Sequence, residues 1–268
     1  MDIALPDGRT AYAYTGGKPF DADLPTVAFI HGALNDHSVW TLLARWFAHH
    51  GHGVLAVDLP GHGRSHGPAL ESVEAMADWL LGVLDAVGAS RASLVGHSMG
   101  SLIALEAAAR APQRARHLVM IATAVPMTVS PMLLEMAAND PPAAIASVNA
   151  WSHSTHAAKP SHPGPGSWLH GGNAALMHRM QAKDPSSNLF LTDFRACNAY
   201  AGGLAAAERI ECPATIVIGA RDQMTPPRSA RAVAEALRVA PQTIDAGHAL
   251  MTEGSEALLG VLRHAILR

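Results

Sequence analysis

Leu94-Val95-Gly96-His97-Ser98-Met99-Gly100 is the stretch on which the reading of this chain turns. A β-rich run, Ala92 to Val95, leads into it, and an alanine-rich run, Ser101 to Arg110, leads away. The two flanking glycines have a steric job, because a strand that reverses sharply into a helix leaves no room for a Cβ beside the turn. Ser98 then stands at the tip of a strained backbone with its hydroxyl exposed above the sheet. The Met99 N–H, at the start of the helix, points at whatever Ser98 meets. The pentapeptide alone also fits a plain strand–helix turn with an incidental serine, so the rest of the chain decides.

Outward from that turn, short continuous apolar runs recur at Thr26 to Ile30, Gly53 to Val57, His117 to Ala122 and Ala214 to Gly219. Runs of this kind are strands buried on both faces of a parallel sheet. Thr10 to Tyr14 reads as an early antiparallel edge strand and Gln242 to Ile244 as a last short one. Helical patterns separate them: Ser38, as N-cap, to His49; Glu71 to Val87; Arg228 to Arg238; and Ser255 to Leu267. Repeated βα units imply a mostly parallel central sheet with helices on both faces and right-handed crossovers.

The alternation breaks between Val125 and Ala207. Helical stretches there, Met132 to Ala138, Pro142 to Trp151, Asn173 to Ala182 and Asn188 to Leu204, surround a loop rich in Pro, Gly and His. The reading is a helical cap, residues 125–207, inserted into an α/β core of residues 1–124 and 208–268. Trp151, Trp168, Met127, Met132, Met136, Met177 and Met180 make that cap apolar and adaptable. Trp168 and Met136 are taken as its candidate selectors of substrate chain length.

Composition narrows the classes. Of 268 residues 49% are hydrophobic and 15% charged, with a net charge of -3, so a large core is available and nothing points to nucleic acid or a membrane surface. No apolar run is long enough to span a bilayer, and Met1 to Pro6 lacks a cationic, apolar leader. The expectation is a cytoplasmic protein whose two cysteines, Cys197 and Cys212, are free thiols. Sixteen histidines include His153, His156, His162, His170 and His178, but few acidic partners accompany them, so no metal and no cofactor is expected.

In parallel sheets ligands bind beyond the carboxyl ends of the strands. His31, Ser98, Asp222 and His248 each follow a strand run directly, so they share one edge. With these residues the chain resembles the α/β-hydrolase fold family over nearly its whole length. His31-Gly32-Ala33, Asp58-Leu59-Pro60-Gly61-His62-Gly63-Arg64-Ser65, Gly219-Ala220-Arg221-Asp222 and Gly247-His248 carry the resemblance. The order Ser98, Asp222, His248 is that family's nucleophile–acid–base order. The resemblance implies that Ser98 attacks, His248 is the base and Asp222 orients it. It implies an oxyanion hole of the backbone N–H groups of Ala33 and Met99, with Leu34 as the fallback donor. His31 is read as a brace for its loop and His97 as shaping the turn. Asp58 is read as turn-stabilising rather than catalytic, and Asp245 as the wrong acid.

The implied function is a serine hydrolase that cleaves a carboxylic ester or lactone through an acyl-enzyme, acting on a small, apolar or amphipathic substrate. Serine at the tip argues against chemistry that needs a carboxylate nucleophile. Carbon–carbon bond hydrolase, cofactor-free perhydrolase or haloperoxidase, and acyltransferase are the alternatives on the same fold. A ligand receptor that keeps the triad is the alternative of another class.

Overall fold

The structure, a computed structural model, describes residues 1–154 and 169–267. Among these, eight strands form one sheet in the order β1-β2-β4-β3-β5-β6-β7-β8. They are β1 Asp2–Ala4, β2 Thr10–Tyr14, β3 Thr26–Ile30, β4 Gly53–Asp58, β5 Ala92–His97, β6 Ala115–Ile121, β7 Ala214–Gly219 and β8 Gln242–Ile244. β1 pairs antiparallel with β2, and β2 with β4; all other pairings are parallel. This is the mostly parallel α/β architecture that the apolar runs imply. β1 and the four-residue helix Leu250–Glu253 are too short to leave a periodic signal, and both escape the sequence reading.

Every residue of β3 is buried, and its side chains alternate between two cores. Val27 and Phe29 join Trp40, Phe47 and Leu262 on one face; Ala28 and Ile30 join Leu80, Leu102 and Ile103 on the other. A strand has a side-chain period of two, so a run that is apolar throughout can only be satisfied by a layer of helices on each face. The first core is closed by α1 Thr41–Ala48 and, at the chain end, by Ser255–Ile266; the second by α2 Val73–Ala86 and α3 Met99–Arg110. Ser72 caps α2 by accepting the Ala75 N–H. Ser38 does not cap α1: Asp36 accepts the Ser38 N–H at 2.9 Å, and a 3-10 turn, His37–Trp40, precedes the helix.

Between β6 and β7 lie α4 Pro131–Asn139, α5 Pro141–Ser152, α6 Leu169–Gln181, α7 Leu189–Ala199 and α8 Gly203–Ala207. The stretch read as one helix, Asn188 to Leu204, is broken at Tyr200 to Gly202, just before α8 begins at Gly203. Trp168 and the loop histidines His156 and His162 lie outside the described residues. After β7 come α9 Arg231–Leu237, then, beyond β8, α10 Leu250–Glu253 and α11 Ser255–Ile266. Among the described residues no helix is long and apolar enough to cross a membrane.

The chain leaves β3 for β4 on one side and reaches β5 on the other, so the strand order reverses at β3. The loops after β3 and β5 part there, and the reversal opens a crevice at the carboxyl edge. The turn after β5 is closed by contact between backbones. A Cβ on Gly96 would collide with the Gly100 carbonyl, and one on Gly100 with the Ile30 carbonyl. Ser98 between them holds φ +52° and ψ -121°, a left-handed conformation that costs about 1–3 kcal/mol for a non-glycine residue.

Gly96→Ala is therefore expected to lower stability by about 3 kcal/mol, because backbone cannot yield as a side chain can. Gly260→Ala, in α11 with open space around the added carbon, is expected to raise it by about 0.5–1 kcal/mol. Urea midpoints of the two variants against the parent chain measure both.

Candidate active site

Ser98 is held by its backbone. Its N–H donates to Ile121 O at 2.9 Å, and its carbonyl accepts the Ser101 N–H at 2.8 Å and the Ser101 hydroxyl at 2.6 Å. Those bonds keep the strained turn in place. They also leave the Met99 N–H at the first position of α3, where no intrahelical acceptor exists.

Asp222 follows β7 and His248 follows β8, as their positions beyond the strand runs imply. His248 Nδ1 lies 2.8 Å from Asp222 Oδ2 and 3.2 Å from Thr225 Oγ1. The carboxylate also accepts the backbone N–H groups of Met224 and Thr225 at 2.8 and 2.9 Å and the Thr225 hydroxyl at 2.8 Å. Burial pushes the Asp222 carboxyl up. The His248 charge and the bonds from His248 and Thr225 outweigh it and hold its pKa below the usual carboxylate range. An acceptor facing Nδ1 sets the tautomer: the proton sits on Nδ1 and the lone pair on Nε2. Asp245 is elsewhere, paired with Arg221 at 2.6 Å on the surface. No hydrogen bond joins Ser98 Oγ to His248 among the described residues; the two side chains line one cavity.

That cavity has a volume of about 290 Å³. Gly32, Ala33, Ser98 and His248 line it from the sheet edge, and Met127, Leu133, Trp151, Met177 and Phe194 from the helices between β6 and β7. No Lys, Arg, Asp or Glu lines it among the described residues. Of the two residues singled out as chain-length selectors, Met136 does not line it and accepts the Ser147 hydroxyl instead; Trp168 is outside the described residues.

The loop after β3 separates the two candidate oxyanion donors. The Leu34 N–H is engaged, donating to Asp193 Oδ2 at 2.9 Å. That removes Leu34 as the fallback and leaves Ala33, which lines the cavity. His31 braces this loop with both ring nitrogens. Nδ1–H donates to Gly32 O at 2.8 Å, and Nε2 accepts the Leu59 N–H at 3.1 Å. Burial, with the nearby His62 charge, lowers its pKa to about 4, so it is neutral at physiological pH. Asp58 is buried in a turn, accepting the His37 and Arg64 N–H groups at 2.7 and 2.8 Å.

The sequence reading singles out none of three further contributors: Thr225, Glu253 and Asp193. Glu253 accepts the Gly247 N–H and the Ser154 N–H, each at 2.7 Å, and so fixes the backbone beside His248. His97 adds a third tie, its Nε2–H donating to His248 O at 2.9 Å. Burial, with His248 beside it, takes the His97 pKa to about 3, so this ring is also neutral. No pattern in the chain marks Glu253, since its partners are backbone amides. Thr225 carried a faint signal as the hydroxyl before Pro226 in the Asp222 loop.

Residues 25–255 match the alpha/beta hydrolase fold family. The chain belongs to that family. Among solved structures, the enol-lactonase from Burkholderia xenovorans LB400 is 20% identical, with full coverage of both chains and a TM-score of 0.81. An esterase from Exiguobacterium antarcticum is 20% identical over 100% of this chain and 99% of that one, with a TM-score of 0.82. At such identities the likeness is one of fold. Among curated relatives, the sn-1-specific diacylglycerol lipase of Mus musculus is 36% identical over 102 residues, 38% of this chain and 33% of that protein. The matched stretch spans from a fifth to a little over a third of the length of such relatives.

The depressed Asp222 pKa fixes a sign. A carboxyl held below its unfolded value of about 3.9 contributes stability that is present above that pH and is lost as the pH falls through the folded value. The urea midpoint is expected to drop more steeply in the parent chain than in Asp222→Asn as the pH falls from about 5 to below 3. Parallel slopes would show that this carboxylate is not linked to folding.

Proposed function

We propose that this protein is a serine hydrolase that cleaves a carboxylic ester or lactone through an acyl-enzyme on Ser98. The observation that carries the reading is the Asp222–His248 hydrogen bond, 2.8 Å long, on a cavity that Ser98 also lines. A serine hydroxyl is a weak nucleophile at neutral pH and needs a base within reach. His248, with its lone pair on Nε2, takes the Ser98 proton as Oγ bonds to the ester carbon. Asp222 stabilises the imidazolium that results. The carbonyl oxygen becomes an oxyanion, and the N–H groups of Ala33 and Met99 are the donors offered to it. Collapse breaks the bond to the leaving oxygen, which takes the proton from His248. Water repeats the sequence on the acyl-enzyme and restores Ser98.

Charge developing at the carbonyl meets fixed N–H dipoles, in a cavity where Met127, Leu133, Met177 and Phe194 stand beside the neutral polar Asn35, Asn173 and Gln223, with no charged Lys, Arg, Asp or Glu among the described residues. The same walls favour a small, apolar or amphipathic ester. In this reading residues 125–207 form a cap on a core of residues 1–124 and 208–268. Met177 and Trp151 hold the acyl or alcohol chain. No metal or cofactor has a part in the reaction as derived.

Ser98→Ala is expected to lower turnover of an activated ester by about a million-fold in a folded chain. Asp222→Asn should lower it by roughly ten-thousand-fold, by favouring the wrong tautomer of His248. Asp245→Asn should leave it near the parent rate. A burst of product followed by continued turnover separates an enzyme from a receptor that keeps the same residues. Retention of more than a few per cent of the rate in Ser98→Ala would sink the assignment.

The cap reading has its own test. Met177→Ala and Trp151→Ala are expected to shift preference along a series of p-nitrophenyl esters, with little change for the acetate. A profile that does not move in folded variants would remove substrate selection from these side chains.

A further inference from the structure

Asp193 has no part in the chemistry just described, yet it is fully buried. It sits on α7, far along the chain from the loops it touches. Its Oδ2 accepts two hydrogen bonds at once, from the Leu34 N–H at 2.9 Å and from His62 Nε2–H at 2.9 Å. Oδ1 has no partner. A carboxylate taken out of water costs several kcal/mol unless it is well paired, so this one is an expensive way to pin a helix. An apolar side chain there would carry no such desolvation cost.

What the carboxylate does reach is a strained backbone. Leu34 holds φ +53°, a left-handed conformation for a side chain that gains nothing from it. Leu34 directly follows Ala33, the proposed oxyanion donor. A bond from Asp193 to the Leu34 N–H holds the turn that presents the Ala33 N–H to the cavity. Without that acceptor the turn can relax, and Ala33 with it.

His62 pairs with this carboxylate, both side chains buried. Its Nδ1–H donates to Pro60 O at 3.1 Å while Nε2–H faces Asp193, so both nitrogens meet acceptors and the imidazolium is the favoured form. Burial works against that charge; Asp193, the bond to it, the bond to Pro60 O and Asp58 work for it and prevail, raising the pKa of His62. The loop carrying His62 is gripped by α6 and the turn after it. Lys183 Nζ donates to His62 O and Ser65 O at 2.9 and 2.8 Å. Arg179 pairs with Asp36 at 2.8 Å. The helices inserted between β6 and β7 are thus tied to the loops after β3 and β4 by polar contacts, of which those of Asp193 are buried.

We infer that Asp193, with His62, is a positioning residue that couples the inserted helices to the oxyanion hole. By holding Leu34 in its strained turn it aims the Ala33 N–H at the reacting carbonyl, so that the hole is complete only while α7 is seated. The inference rests on the hydrolase reading above and adds to it a residue that touches no substrate.

The test uses the full chain and an activated ester. Ester turnover in the parent chain and its loss in Ser98→Ala come first; no turnover in the parent overturns the hydrolase reading and this inference together. Given that activity, Asp193→Leu is expected to lower kcat by about a hundred-fold, the lower bound for losing an oxyanion donor, with KM nearly unchanged. Asp193→Asn keeps one acceptor oxygen for two donors and is expected to lower kcat about tenfold. It is isosteric and decides the matter if the leucine variant does not fold.

A trifluoromethyl ketone, which forms an oxyanion on Ser98, should lose affinity by the same factor as kcat/KM. An uncharged amide of the same shape should bind as before. An Asp193→Asn chain within twofold of the parent kcat overturns the inference. Equal loss of both inhibitors also overturns it, because that is the signature of a deformed cavity rather than a misplaced donor.

Discussion

The turn between β5 and α3 works because backbone lies against backbone. The Gly100 carbonyl occupies the space where a side chain on Gly96 would be, and the Ile30 and His31 carbonyls occupy the space beside Gly100. This contact draws the start of α3 under the end of β3. Ser98, between the two glycines, holds a left-handed conformation, and the turn lies against the loop that carries Ala33, where a Cβ on Gly32 would crowd the Ser98 side chain. The hydrogen bonds from Ser98 N–H to Ile121 and from Ser101 to the Ser98 carbonyl then hold the strain in place. Rigid elements of this kind position a nucleophile more narrowly than a free loop does.

The sheet supplies the rest of the arrangement through its topology. Parallel strands end on the same edge, so the loops after β3, β5, β7 and β8 gather there whatever their sequences. The reversal at β3 keeps the loops after β3 and β5 from closing on each other. Burial on both faces of β3 to β7 makes that edge rigid. The polar groups on the edge are then fixed in a chain: Asp222 by two amides and Thr225, His248 by Asp222 and, through its carbonyl, by His97.

Three histidines at this edge show how neighbours set a proton. His31 and His97 are buried beside other histidines and are neutral, each with one nitrogen donating to a carbonyl. His62, equally buried and 4.8 Å from His31, faces a carboxylate, and its pKa is raised instead. Burial alone would make all three alike. The acceptor on the second nitrogen is what separates them.

Strand runs, the glycines about Ser98 and the order of Ser98, Asp222 and His248 are local features, and the sequence by itself determined the parallel sheet, its edge and the family from them. An apolar run of five residues has few alternatives to a strand buried on both faces, and a glycine at a closed turn has none of larger size. The tertiary structure decided what depends on distant residues meeting. Asp193 lies 159 positions from Leu34, and nothing about an aspartate in a helix announces that it will accept a backbone N–H across that distance. Glu253 and Thr225 act in the same way, through amides that every residue carries. Whether Met136 or Met177 reaches the cavity turned on how the inserted helices rotate as they pack, and helices with apolar residues on several sides do not encode one rotation in their periodicity. A local pattern fixes what a residue is bonded to along the chain; only the fold fixes what it faces.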